Sequence, residues 1–375
     1  MKCKLQRSVL QGMLSKVQGF TDRKTTLPIL GHVLLEASPD GLKMKATDLH
    51  TSIQVRAQCE IQEQGACAIN CKSFFDLIRE LPDDVLTLFT EERLRAHVVV
   101  GDLKTHLNIM DPEEFPMIEF GEREIGLSID PLIIKSMIDK TIFSIPSSAE
   151  SDTKYTLGGA LLTYGEDELT SVPYIEMVTT DSRRLSVVRS DVAEKIDLSH
   201  GIIIPRKGMQ ELRRLIDAQE EDASILLTKD SIYYTSPDTV ATVRLIDGKF
   251  PDYRGIIKID SYPIYIRIDG QALLNALRVC ATMVTDIASC VRFHFTQGKT
   301  VLFAHNPDQG DVEIPLPCDH QGDDIEINFN PRYFMDCLAC IDGEAEIHLK
   351  GPQGPCLVTP LERTDSKWVI MPMRF

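Results

Sequence analysis

Leu127-Ser128-Ile129-Asp130-Pro131-Leu132-Ile133-Ile134-Lys135-Ser136-Met137-Ile138 is the middle copy of a phrase that occurs three times in the chain. Taking Gln6, Asp130 and Asp269 as its polar cap, Cys3, Leu127 and Ile266 stand three residues before it, and Leu5, Ile129 and Ile268 one before. That is the period-2 pattern of a strand with one buried face. After the cap come Leu10, Ile134 and Leu273, then Met13, Met137 and Ala276, then Leu14, Ile138 and Leu277, which trace one face of an amphipathic helix. The copies lie 124 and 139 residues apart, a domain-sized duplication rather than a solenoid period.

Three units of that size suit a chain of 375 residues, because each is long enough to bury its own core. A fainter echo divides every unit. Ala68-Ile69-Asn70-Cys71, Ile202-Ile203-Ile204-Pro205 and Ile325-Glu326-Ile327-Asn328-Phe329 each lead into a further helical stretch. An acidic turn then follows (Asp83-Asp84, Glu220-Glu221-Asp222, Asp342-Gly343-Glu344), and after it another strand. The expectation is an α+β chain with six short helices and dominant, turn-separated antiparallel strands, in domains 1–123, 124–257 and 258–375. Linkers are expected near 121–124 and 258–262.

Composition narrows the class. Charged residues make up 26% and hydrophobic residues 43%, as in an ordinary globular protein, and no apolar run approaches the ~18 residues of a membrane span. Lys2, Lys4, Gln6, Arg7 and Gln11 interrupt any leader-like apolar run at the start, so a cytoplasmic location is expected, with ten scattered cysteines kept as reduced thiols. Cys337 and Cys340 form a C-x-x-C inside an apolar run, without a second pair or spaced histidines; core thiols are expected there, and no cofactor or metal.

The formal charge of −16 opposes a polyanion partner at first sight, yet the charge is unevenly placed. The six helical stretches carry twelve Lys or Arg against seven Asp or Glu, so they hold +5 while the remainder holds −21. Arg206, Lys207, Arg213 and Arg214 are the densest cluster, opposed only by Glu211. Helices sharing one basic surface, with acidic strands facing away, would confine a nucleic acid to that surface. No phosphate-binding loop, nucleophile elbow or zinc-protease motif occurs. Asp48 and Asp181 stand at parallel places in two repeats, which reads as turn capping rather than acid–base chemistry; no catalytic residue is expected.

Three stretches carry a family resemblance: Thr179-Thr180-Asp181-Ser182-Arg183-Arg184-Leu185-Ser186-Val187, Asp247-Gly248-Lys249-Phe250-Pro251-Asp252-Tyr253-Arg254, and the terminal Trp368-Val369-Ile370-Met371-Pro372-Met373-Arg374-Phe375. With Leu27-Pro28-Ile29-Leu30-Gly31 and Ile204-Pro205-Arg206-Lys207-Gly208, they resemble the bacterial sliding clamps, the beta subunits of DNA polymerase III. The resemblance implies a non-enzymatic processivity factor with the DNA-clamp fold. Two chains would close head to tail into a six-domain ring, with helices lining the hole around double-stranded DNA, held without sequence preference.

It also implies a pocket between the second and third domains for clamp-binding peptides of the polymerase III alpha subunit, the clamp loader and repair polymerases. Carried over by motif, its wall is Leu157, Thr180, Ser182, Arg183, Arg184 and Leu185, with Pro251, Arg254 and Ile256 below. Val369, Ile370, Met371, Pro372, Met373, Arg374 and Phe375 close it, and the arginines would orient polar peptide ends. Ser182-Arg183 replaces the usual Gly-His, Gly255 a second Arg, and Phe375 the commoner Leu. Lys24 and Tyr155 stand where the family has DNA-touching loop residues, joining Arg206, Lys207, Arg213 and Arg214 as expected DNA contacts. Leu107, in the strand 105–110, and Met283 with Val284 fall where the family dimerises. The competing readings are a β-rich peptide-binding scaffold that never encircles DNA, and a hydrolase using Asp48 or Asp181.

Overall fold

Each copy of the repeated phrase is a strand running directly into a helix in the computed structural model, which describes residues 1–22, 26–91, 94–118, 120, 127–146, 155–167, 169–193, 198, 201–218, 222–284, 290–361, 363 and 365–373. Strand Lys2–Gln6 leads into α1 (Arg7–Val17), Leu127–Ile129 into α3 (Pro131–Thr141) and Ile264–Asp269 into α5 (Gly270–Thr282). The half-unit echoes give α2 (Cys71–Glu80), α4 (Arg206–Asp217) and α6 (Pro331–Leu338), each after its own strand. Capping follows side-chain length. Asp130 and Asp269 accept from Leu132 N (2.8 Å) and Ala272 N (2.7 Å), and Asn70 and Asn330 cap α2 and α6 in the same way. Gln6, one methylene longer, caps nothing with its side chain; the Arg7 amide donates to Asp84 O instead.

The chain divides into two compact units, and the middle repeat is shared between them. One unit contains residues 1–135 and 207–245, the other 136–206 and 246–375. The reason is visible in the sheets. In the first unit, a 13-stranded sheet is continuous because Thr239–Arg244 pairs antiparallel with Thr51–Ala57, Thr239 facing Val55 and Val243 facing Thr51. In the second, a nine-stranded sheet is continuous because Arg184–Asp191 pairs with Ser366–Ile370, Leu185 facing Val369 and Val187 facing Lys367. Each half of the middle repeat thus completes the sheet of a different neighbour. The four-stranded sheet Gly310–Pro317, Lys299–Asn306, Val291–Thr296, Ile325–Phe329 completes the second unit.

Gly208 belongs to the first joint. A Cβ there would lie 2.2 Å from Val243 Cγ1, so α4 packs on the strand Thr239–Arg244 only with a glycine at that turn. In the second unit, the expected linker around 258–262 is a packed strap rather than a free connection. Phe250, Tyr253, Ile257 and Tyr262 are buried with Leu185, Val187 and Val369 on one face of the nine-stranded sheet. The expected linker at 121–124 lies outside the described residues.

The opposite face of that sheet holds the larger core of the second unit, where Trp368 donates its indole N–H to Lys140 O at 3.0 Å. Phe293, Phe329 and Phe334 interlock there with ring centroids about 5 Å apart, as aromatic pairs prefer. Phe334→Ala should cost about 3–5 kcal/mol. The denaturant transition reported by Trp368, the one tryptophan of the chain, is expected to move to lower concentration; an unchanged midpoint would contradict this packing.

Candidate functional site: a peptide cleft on the second unit

Strand alternation decides which terminal residues can face a ligand. Along Ser366–Ile370, Trp368 and Ile370 point into the large core, each 1% exposed, while Val369 points to the strap side. Between strap and sheet lies a cleft of about 170 Å³ lined by Leu157, Thr180, Ser182, Arg184, Leu185, Phe250, Pro251, Asp252, Tyr253, Ile256, Val369 and Met371. Ile256 (43% exposed) and Met371 (38%) are its open lips, and Leu157, Leu185 and Val369 its buried floor. The Met371 amide donates to Arg183 O (2.8 Å), extending the strand pairing to the rim.

Nine of the residues expected at the site line this cleft, and five others, Arg183, Arg254, Ile370, Pro372 and Met373, do not. Ile370 faces the opposite side of its strand. Pro372 and Met373 leave the cleft, as Met373 N bonds Asn328 O (2.8 Å). Arg183 is exposed in the turn but is not part of the lining, and Arg254 lines a different cleft. Arg374 and Phe375 lie outside the described residues. Phe250, Asp252 and Tyr253 are lining residues not singled out from the sequence, although they stand inside the Phe250-Pro251-Asp252-Tyr253-Arg254 motif. The stretch 250–256 has no regular secondary structure and offers no periodicity from which its inward residues could be chosen.

Arg184 was expected to orient a ligand from the rim, but its charge is spent inside the protein. It pairs with Ile370 across the ladder, so its head falls on the helix side of the sheet. There Nε reaches Asp181 (3.0 Å), Nη1 reaches Asp336 of α6 (2.5 Å), and Nη2 donates to Phe143 O. The guanidinium also lies 4.5 Å over the Tyr333 ring. Only the remaining part of the residue is left to line the cleft.

Asp181 has a second task in that bracket. Its Oδ1 accepts from the amides of Arg183 (2.9 Å) and Arg184 (2.8 Å), and Thr180 Oγ1 accepts from Ser182 N. Asp48 and Thr47 build the same turn in the first repeat. Both aspartates are turn caps, as their parallel placement suggested. The turn forces Leu49 (φ +74°) and Ser182 (φ +72°) into the left-handed region, where a glycine is free of strain. That is why Ser182 is the unusual occupant of its position.

The cleft floor rests on a buried polar chain. The Tyr253 hydroxyl donates to Glu176 Oε1, and Arg189 Nε donates to Glu176 Oε2 (2.6 Å), with Glu176 almost fully buried. Burial first, and the Glu176 carboxylate second, push the Tyr253 phenol above its ordinary value, so it remains a hydrogen-bond donor.

Profiles of the DNA polymerase III beta subunit family match most of the chain: the N-terminal domain at residues 1–119, the central domain at 128–252 and the C-terminal domain at 261–374. The beta sliding clamp of Pseudomonas aeruginosa is 30% identical over 372 residues, 99% of both chains. The chain belongs to the DNA polymerase III beta subunit family. Among solved structures, a sliding clamp from Bartonella birtlesii bound to griselimycin superposes with a TM-score of 0.91 at 27% identity, covering 100% of both chains. The P. aeruginosa beta subunit bound to griselimycin gives 0.87 at 29%, again over 100% of both. The fold is therefore the three-domain beta clamp fold, and a beta sliding clamp is a processivity factor, not an enzyme.

For a clamp, the cationic helix surface is thinner than the sequence density suggests. Arg214 donates to Ser15 O and Lys16 O (2.6 Å), capping the carbonyls at the end of α1, and pairs with Glu211. Lys207 is held by Asp48 (2.5 Å) and Thr21 O (3.2 Å), and Arg206 donates to Ile145 O and Pro146 O. The desolvation of Arg206 lowers its pKa, consistent with a structural cation. Arg213 stays exposed. Lys24 lies outside the described residues, as does the side chain of Tyr155.

Leu107 is half-buried on the strand Leu103–Met110, which pairs fully with Arg95–Val100 but meets Gly65–Asn70 only at Ile109 and Met110. Residues 103–108 thus leave one backbone edge unpaired with any described strand. Met283 and Val284 follow the end of α5, half-buried against the core of the second unit. Cys337 donates its S–H to Phe334 O (3.2 Å), and burial raises its pKa, as for a core thiol; Cys340 is raised to about 11 for the same reason.

Replacing Arg184 with Met should cost about 3 kcal/mol, because Asp336 and the Phe143 carbonyl lose a largely buried partner. Calorimetry should show a lowered melting temperature; an unchanged one would mean that the bracket contributes nothing.

Proposed function

We propose that this chain forms a head-to-tail homodimeric ring that slides on duplex DNA in the cytoplasm and tethers partners by clamp-binding peptides held in the Leu157–Val369–Met371 cleft. The three repeats, 1–123, 124–257 and 258–375, supply three of six ring domains. The open edge at 103–108 supports the ring reading, since an unpaired strand edge can extend into a second copy's sheet, with Leu107 meeting Met283 and Val284 at the joint. DNA contact falls to Arg213, the exposed part of Lys207 and the expected loop residues Lys24 and Tyr155. Arg206 and Arg214 serve as braces that shape the helix surface.

The observation that carries the proposal is the cleft itself. Its floor is aliphatic, its lips are a flexible methionine and an isoleucine, and the Thr180 and Tyr253 hydroxyls donate to Arg184 O and Glu176. Such a surface adapts to several apolar anchors, which suits the polymerase III alpha subunit, the clamp loader and repair polymerases in turn. A ring that encloses the duplex is held topologically and requires no base-reading residue.

After loading on nicked circular DNA, the protein should be retained through gel filtration and released when the circle is linearised. Peptide binding without topological retention would favour the scaffold reading instead. Deleting residues 371–375 removes the Met371 lip: peptide affinity should fall at least tenfold while retention on circular DNA persists. Equal affinity in the truncated protein would contradict the site assignment.

A further inference from the structure

On the far side of the strap lies a second, larger cleft, of about 930 Å³, which the tethering function leaves unused. It opens over the same sheet face and includes Glu176, Arg189, Arg254, Lys258 and Lys367. Lys367 and Val369 alternate on one strand, so the clefts start one strand repeat, about 7 Å, apart. Thr180 in the first and Glu176 in the second are four residues apart on another strand, about 13 Å.

Its electrostatics are incomplete. Glu176 is already engaged twice, by the Tyr253 hydroxyl and by Arg189, whose guanidinium also lies 4.4 Å over Tyr174. Lys367 is half-buried beside this closed pair, and its ammonium has no hydrogen bond or ion pair with a described residue. Desolvation first, and the Arg189 charge second, depress its pKa, with Glu176 only partly opposing them. Arg254 and Lys258 add positive charge at the mouth, against Glu166 and Asp260. The lining carries four cations and three carboxylates in a protein whose formal charge is −16. A partly desolvated ammonium whose nearest carboxylate, Glu176, is already engaged by Arg189 and Tyr253 is costly, and an incoming carboxylate reduces that cost.

We propose that this cleft is an anion subsite that takes an acidic segment flanking the apolar anchor of the partner peptide. The proposal rests on the peptide-cleft reading above. Four extended residues span about 13 Å, which matches the separation of Thr180 and Glu176 along their strand. Acidic flanks would be selected here and repelled elsewhere on the strongly acidic surface, which makes the subsite a specificity determinant rather than a general attractant.

Two peptides with a common Leu-Leu-Phe anchor, one extended at both ends by four glutamates and the other by four glutamines, test it on the full chain by titration calorimetry. The glutamate peptide should bind roughly fivefold more tightly at low salt, with the gain shrinking at high salt. Lys367→Met should abolish the gain without changing the glutamine peptide's affinity, and Lys367→Arg should restore it. Tetraglutamate alone should raise the Lys367 pKa, read by NMR of reductively ¹³C-methylated lysines, because a neighbouring carboxylate favours the charged amine. No gain together with no pKa rise overturns the subsite, and so does a gain that survives Lys367→Met. If tetraglutamate raises the pKa while neither anchor peptide binds, the anion subsite stands and the peptide-cleft reading fails.

Discussion

The antiparallel pairing of Arg184–Asp191 with Ser366–Ile370 is the constraint on which the second unit and its candidate cleft depend. It joins the first half of the middle repeat to the last strand of the chain. Through alternation it sends Trp368, Ile370 and Ser186 into one core and Leu185, Val187 and Val369 under the strap. A slip of one residue would exchange the two sets, exposing the tryptophan to the strap side and burying the cleft floor. The cleft is therefore a consequence of register. The equivalent joint in the first unit, Thr239–Arg244 with Thr51–Ala57, closes a sheet with α4 packed on it through Gly208.

Charge is used in the same economical way. The arginines that look most available in the sequence, Arg184, Arg206 and Arg214, are brackets that satisfy carbonyls at helix and turn ends. Arg189 locks the Glu176 carboxylate that receives the Tyr253 hydroxyl. These contacts hold the strap and the sheet edge in place.

Much of this was legible in the sequence. The strand-cap-helix phrase predicted three helices, because its two periodicities report burial directly, its fainter echoes predicted three more, and the parallel Asp48 and Asp181 announced identical turns. Which terminal residues face the cleft was legible only in part. The motif names a contiguous run from Val369 to Met373, but a strand offers alternate residues, and Ile370 goes to the core. The role of the basic cluster was not legible, since its partners Ser15, Asp48 and Ile145 are 60 to 200 residues away in sequence and nothing local signals them. The splitting of the middle repeat was hidden for the same reason: strand pairing across repeats is a long-range choice.

An alanine scan of residues 368–371, with peptide affinity and unfolding free energy measured on the same variants, tests the register account most directly. Val369→Ala and Met371→Ala should weaken peptide binding with little loss of stability from Met371. Ile370→Ala should lower stability by about 2–5 kcal/mol and leave the affinity of the folded protein unchanged. Loss of peptide affinity at Ile370 with none at Val369 and Met371 would contradict it.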